Sequence, residues 1–598
     1  MWVLGMTLSI YSSGSNLYSA DTISGVSTTA IKKLSSAQIG LLDADQIANL
    51  TYEQVAAIDS ADFAALGSAQ LAAFTAEQAE GLGADDLKKM LAQVQYLQDE
   101  VISALDADVV SALNTKTIAY LSSTQVDALT SAQIDVMTSQ QLSKLGSDDI
   151  STFSEDEVAV LDETQIAGIS VAAFNSLSAD GVALLSDDAI GAISTKQMMV
   201  MSSDIAEALT SDQIGLLSTK QLAKLSSSAI AAFNEEELAS IAANGQSYIQ
   251  ALSTAAINAM STDYFTQLSA DILGYLSTKQ IAGLSSELAA LITTEQIGGI
   301  TADKIRYLSS NALNALSTDA VALLETDRIE ALSTKQIMAL GTNFSEALTQ
   351  DQVEALTLTQ LAKLSSTSMA VFSSEEIVAL DSTQIAALSI SALNAMSTDA
   401  FSGLATDRIA NLTSKQIAAL SSSLAEALDT SQVEALTATQ LQKLSSENIA
   451  LFSLEELQQI SADEIDDLPT ATLNAISTEY FAELAADVIA GMSTKQIATL
   501  SSDLAAVITT EQIASMSSSS IAYFSTTAIN ALSSDVIAAL ADDQIPGLSA
   551  KQLANLSTDL IDALTEDQAI NALTTTQIAA LSEEGIALLY GKFSGLTE

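Results

Sequence analysis

The sequence predicts an all-α solenoid built from very short, individually capped helices. Three observations predict it. An eight-residue unit fills the chain from Ser19 to Leu589, each unit carries the signals that start a helix, and eight matches the period of no continuous helix or strand. The clearest copy is Ser277–Leu284, STKQIAGL. Its first position is Ser, Thr or Asp in most copies, the second and third are polar, and the fourth is often Gln, Asp or Glu. The fifth is Ile, Leu or Val, the sixth usually Ala, and the eighth Leu or another large apolar residue. Ser277 reads as an N-cap with Gln280 three residues on, which is a capping box; Leu276 before it and Ile281 after it form a hydrophobic staple.

Other periodic folds fail. A continuous helix turns about 100° per residue, so octads drift by roughly 80° per unit and the apolar positions would wander round the surface. Heptads avoid that drift, so this is not a coiled coil. In a strand, positions five and eight would face opposite sides. A helix of about two turns is too short to stand alone. It must bury its Ile and Leu against neighbouring units, which is how solenoids work. Ala at position six is expected to let successive coils approach.

The chain has 598 residues and no stretch of about 20 apolar residues, so no transmembrane helix is expected. Its 74 acidic against 21 basic residues give a net charge of −53, which argues against nucleic acid as a partner. The acids gather in the first turn of each unit, as in Asn234-Glu-Glu-Glu237, where the helix dipole favours them. Cysteine and histidine are both absent. That removes disulfides, thiolate and imidazole metal sites, and Ser–His or Cys–His nucleophile pairs. No glycine-rich phosphate loop is present. Ser-Thr-Lys-Gln recurs at 194, 218, 277, 333 and 493, and a motif repeated five times is not a Ser–Lys active site. No enzyme is expected. The densest acidic group, Asp463, Glu464, Asp466 and Asp467, lacks the spacing and glycine of an EF-hand loop. It reads as a solvated face or, alternatively, a calcium site, the one cofactor considered.

Along the chain, residues 1–18 stand outside the octad. Leu4, Met6, Leu8 and Ile10 alternate with Gly5, Thr7 and Ser9 as in a short strand. With Trp2 and Val3 they form an N-terminal arm, expected either to cap the solenoid's own end or to dock on a neighbouring subunit. Octads occupy 19–241, with an irregular stretch at 83–105 through which a longer helix is expected. Residues 242–252 form an eleven-residue unit with a turn at Asn244-Gly245. Octads resume over 253–589, with a nine-residue unit at Thr565, and 590–598 form a tail. The total is about 71 units. A longer period overlies the octad: Leu313-NALS, Leu393-NAMS and Leu473-NAIS are 80 residues apart, as are Lys335, Lys415 and Lys495, while Ile257-NAMS and Ile529-NALS flank them at 56. Ten octads per three coils, or about three and a third per coil, follow as the expectation. At about 10 Å per layer the array would make a rod of roughly 200 Å.

The motif of Ser or Thr, then Gln fourth, Ile or Leu fifth and Leu eighth, seen in STKQIAGL and in TTEQIGGI at 293–300, resembles repeat arrays of large secreted bacterial exoproteins and adhesins. It covers 19–589. The resemblance implies secretion and a place outside a bacterial cell or on its surface, and carries over no catalytic residue. The expected function is therefore a non-enzymatic structural protein that assembles with itself into a filament, sheath or surface layer, docking through Trp2, Val3, Leu4, Met6, Leu8 and Ile10. The alternative is an adhesin stalk or scaffold with a cell-surface or host ligand.

Overall fold

The computed structural model describes residues 19–592. Among them every regular element is a helix, mostly of four to six residues, and each helix packs against the one three places further along the chain. The chain divides into two compact units, residues 1–300 with 307–309, and 301–306 with 310–598. Each is the same alternation of cap, short helix and apolar stop. The three-residue insertion at 242–252 lies inside the first unit.

The octad 277–284 shows why the helix starts and stops. Ser277 is extended at the N-cap, the helix is Thr278–Ala282, and the capping box closes through Gln280. Buried side chains stand at positions four, five and eight: Gln280, Ile281 and Leu284. Burial of each large apolar side chain stabilises the coil by about 1.5–3 kcal/mol. Position four therefore belongs to the core as fully as five and eight do, although it carries a polar residue.

That residue is what holds the coils together. The Gln416 Oε1 accepts from the Thr413 backbone N–H and hydroxyl, both at 2.8 Å. Its Nε2 donates backwards to the carbonyls of Ile385 at 3.1 Å and Leu388 at 3.0 Å, 31 and 28 residues earlier. Those carbonyls stand at the end of the helix Ser382–Ala387, where Ile385 otherwise accepts only from the Leu388 N–H. One amide thus caps the start of its own helix and the end of another in the previous coil. The same bridge recurs at Gln54, Gln133, Gln213, Gln280, Gln352 and Gln496, among others. Of the 33 buried polar residues described, 24 are glutamines.

The bridge reaches four octads back, while neighbouring helices pair three apart. One coil therefore takes between three and four octads, the interval in which the expected three and a third lies. The nine-residue unit absorbs its extra residue in a single π turn at Gln568–Ala572. Beyond it the Gln577 bridge spans 32 and 29 residues, one more than elsewhere. The described chain closes on a longer helix, Glu583–Lys592, whose Lys592 Nζ donates to the Asp562 carbonyl.

Two expectations need correction. No long helix crosses 83–105: Ala84–Met90 ends where Leu91 takes φ 53°, and a 3-10 turn follows at Leu91–Tyr96. Position six is not the tightest approach between coils: a Cβ on Gly191 would meet nothing within 4 Å, although one on Gly40 would come within 2.9 Å of the Ala65 carbonyl. The closest approach falls where position seven is glycine, against position two of the octad three earlier. A Cβ on Gly491 would sit on the Ala462 carbonyl, and one on Gly547 on the Ser518 carbonyl, closer than any real Cβ contact.

Two predictions follow from this packing. Gln416→Glu keeps the capping oxygen but turns a second oxygen toward two carbonyls in a buried site, so it should cost about 2–4 kcal/mol. Amide hydrogen exchange across residues 385–420 should accelerate accordingly, and unchanged protection there would refute the bridge. Gly491→Ala should destabilise by about 1–3 kcal/mol, whereas Gly191→Ala, on an open helical face, should stabilise by about 0.5–1 kcal/mol. Thermal melts of the two variants should move in opposite directions.

Candidate functional site

The residues singled out in the sequence fall into three structural roles. Trp2, Val3, Leu4, Met6, Leu8 and Ile10 lie outside the described residues. The serines of the Ser-Thr-Lys-Gln motifs are helix caps: the Ser277 hydroxyl donates to Gln280 Oε1 at 2.8 Å, and Lys279 beside it is exposed. The acidic group at 463–467 is not drawn round a common point. Glu464 Oε2 accepts from the Ser461 N–H at 2.9 Å and its hydroxyl at 2.7 Å, as a capping acid. Asp467 accepts from Gln442 Nε2 at 2.8 Å, while Asp463 and Asp466 are exposed. Among the described residues no three carboxylates stand close enough together to hold a metal ion.

The long period has a structural meaning that the sequence did not disclose. Asn394 Nδ2 donates to the Ala419 carbonyl at 2.7 Å, and its Oδ1 accepts from the Ser421 N–H at 2.8 Å. Asn314, Asn474, Asn258 and Asn530 make the same pair of bonds, 25 and 27 residues ahead. These are the asparagines of the NALS, NAMS and NAIS copies. Asn175 adds a sixth clamp, onto Val200 and Ser202. Each clamped octad carries a large apolar residue at position four, such as Leu288, Phe344, Leu424 and Leu504. Such an octad has no Gln to accept its N-cap N–H, so the asparagine of an earlier coil does so. The signal was present, since every NALS-type copy is followed by an octad that lacks the fourth-position Gln.

Charge enters the core at position four in few places. Glu237 is buried in a capping box with Asn234, whose N–H and Nδ2 both donate to it at 2.7 Å. Burial pushes its carboxyl above the usual range; the Asn234 bonds oppose that, and Glu207 and Glu236 add to it. Asp86 is raised in the same way, first by burial, with the bonds from Ser60 and Gly83 opposing. Half-buried Glu157, Glu376 and Glu456 accept the cap N–H in otherwise similar octads.

Fold and side-chain geometry together define a repeat solenoid whose specific polar side chains bind its own coils. Residues 22–52, 55–90, 102–139 and 321–358 match the ALTTAQ repeat family. A search of curated proteins found no match. Among solved structures, APUM23 with GGAUUUGACGG is similar at 12% identity, covering 74% of this chain and 92% of that one, with a TM-score of 0.17. Importin beta is similar at 13% identity, covering 94% and 88%, with a TM-score of 0.14. Importin13 in its cytosolic state reaches 10% identity, 97% and 89% coverage, and a TM-score of 0.15. At those TM-scores none of the three bears on the function of this chain.

Glu237 yields a pH prediction. A carboxyl whose folded pKa is raised adds stability below its unfolded pKa and loses that stability as pH rises through the folded value. Glu237→Gln should therefore stabilise the protein at pH 7, by about 1 kcal/mol. The gain over the natural chain should vanish below the unfolded Glu range. Urea melts at pH 7 and pH 4 read the difference; a gain independent of pH would show that the charge is not its source.

Proposed function

We propose that this protein is a non-enzymatic structural protein of the bacterial exterior that assembles with copies of itself into a filament, sheath or surface layer. One observation carries the reading. The side chains with specific hydrogen-bonding geometry, Gln at position four and the clamp asparagines, are used inside the fold. What remains outside is a Ser, Thr, Asp and Glu surface that repeats with the octad. A repeating surface can offer the same contact at every step, and head-to-tail contacts between identical copies propagate into open assemblies. The arm formed by Trp2, Val3, Leu4, Met6, Leu8 and Ile10 is the proposed docking element. The resemblance of the octad to exoprotein repeats supports the extracellular setting. No helix among the described residues is long and apolar enough to cross a membrane.

A second reading, an adhesin stalk or binding scaffold, is favoured by apolar side chains left on the outer surface at position seven. Leu184 and Leu323 are 55% and 57% exposed. Such residues are a resource for a partner and a liability without one.

Negative-stain electron microscopy separates the two readings. The full chain should form filaments or sheets as concentration rises, with and without calcium, and a chain lacking residues 1–18 should not. Single particles under every condition would overturn self-assembly and favour the scaffold.

A further inference from the structure

The glutamine bridges are interrupted beside the three-residue insertion, and an open groove of about 510 Å³ lies there. Between Gln221 and Gln280 no fourth-position glutamine reaches back to an earlier coil; Ala256, Tyr264 and Ile272 take those places in three consecutive octads. The helix Glu235–Ala243 runs on past the usual stop, for nine residues, before Asn244 and Gly245 turn the chain at φ 83°. Leu268, at position eight, is left half-buried, as is Ile272. With Ala239 and Ala243 they give the groove an apolar floor.

Two polar features face this floor. Tyr264 is only 6% exposed, yet its hydroxyl makes no hydrogen bond to any described residue. Burial pushes its phenol up to about 12, so it stays protonated and able to donate or accept. At the mouth stand the exposed carboxylates of Glu235 and Glu236, with Glu235 held by Gln267 Nε2 at 2.7 Å. No lysine or arginine lines the groove. The hydroxyl oxygen itself is not sealed from solvent, so it is open to a polar group of a ligand in the groove.

We propose that this groove binds a small organic ammonium ion with an apolar body. The apolar part lies on Ala239, Leu268 and Ile272, the cation meets the carboxylates of Glu235 and Glu236 along the groove's edge, and a polar group of the ligand meets the Tyr264 hydroxyl. The volume falls in the range of small-molecule sites, and a groove this size, confined to one break in the repeat, takes a free amine in preference to a protein surface.

The test uses the full chain and 4-phenylbutylammonium, with the neutral 4-phenylbutanol as comparison, followed by isothermal titration calorimetry and NMR. Saturable one-to-one binding of the amine is expected, and weaker binding of the alcohol. Ala239→Trp and Ala243→Arg, both at exposed positions that leave the core intact, should abolish it. Glu235→Gln with Glu236→Gln should weaken it about tenfold, and Tyr264→Phe should weaken it a few-fold. Glu155→Gln with Asp156→Asn, the same acidic first turn in a regular octad, should change nothing. Undiminished binding in both groove-filling variants, equal weakening by the 155/156 pair, equal affinity for the alcohol, or no saturation at millimolar amine would each overturn the proposal.

Discussion

A helix of one to two turns leaves almost every backbone group it owns without a partner, and this chain consists of such helices. In a long helix the first four N–H and last four C=O groups are a minority; here they are nearly the whole element. Buried backbone groups left unpaired would cost more than the apolar core returns. The fourth-position glutamine resolves this with one side chain. Its oxygen takes the N-cap N–H, and its nitrogen takes two carbonyls of the previous coil, as at Gln416. Lateral packing and helix termination are therefore one interaction, and the octad length follows from it. The chain can stop each helix early because the carbonyls it abandons are collected four octads later.

The same requirement explains which substitutions the lattice accepts at that position. Where glutamine is missing, another donor of suitable reach stands in: Thr472 donates to the Leu444 carbonyl at 2.7 Å, Asn448 to Leu420 at 3.0 Å, and Arg408 to Leu380 at 2.7 Å. In six octads with a large apolar residue at position four, a clamp asparagine on an earlier coil takes the N-cap N–H. Glutamate can cap but has no hydrogen to give backwards. Glu157, Glu376 and Glu456 accordingly stay half-buried, whereas buried Glu237 has its carboxyl raised by burial. A π turn lets the lattice pass one extra residue and keep its bridges, offset by one.

Much of this architecture was legible. Capping chemistry is local, so Ser277 and Gln280 announced a helix start without knowledge of any neighbour, and the drift of an octad on a continuous helix excluded long elements. The long period even bracketed the octads per coil. What the sequence reading missed are relations between residues 25 to 31 apart, which no local rule contains. The preference for Gln over Glu was the available clue to a donor role, because both complete a capping box but only Gln has an amide hydrogen. The close approach at the position-seven glycines was missed for the same reason. Ala at position six also suits a helix by propensity, while the steric demand at position seven exists only against the coil three octads back. The candidate acids at 463–467 illustrate the converse: their density is real, but each capping or bridging role is set separately, by Ser461 for Glu464 and by Gln442 for Asp467.

The division of labour between positions bears on how such a chain acquires function. Positions four, five and eight, with the clamp asparagines, carry the coil. Position three, and position six away from the clamp asparagines, mostly face solvent and can vary without touching a bridge. A binding feature can therefore arise in two ways. Surface positions can change while the coil is kept, which yields periodic and nearly uniform faces suited to repeated contacts. Or the ladder can be interrupted, which yields a single distinctive place. The segment from Glu235 to Ile272 is of the second kind: the insertion there is crossed by no bridge from the next three octads, because Ala256, Tyr264 and Ile272 stand where glutamines would have reached across it. An interruption of that kind exposes apolar side chains such as Leu268 that most regular coils of the first unit cover, and exposing them without a compensating partner is unfavourable.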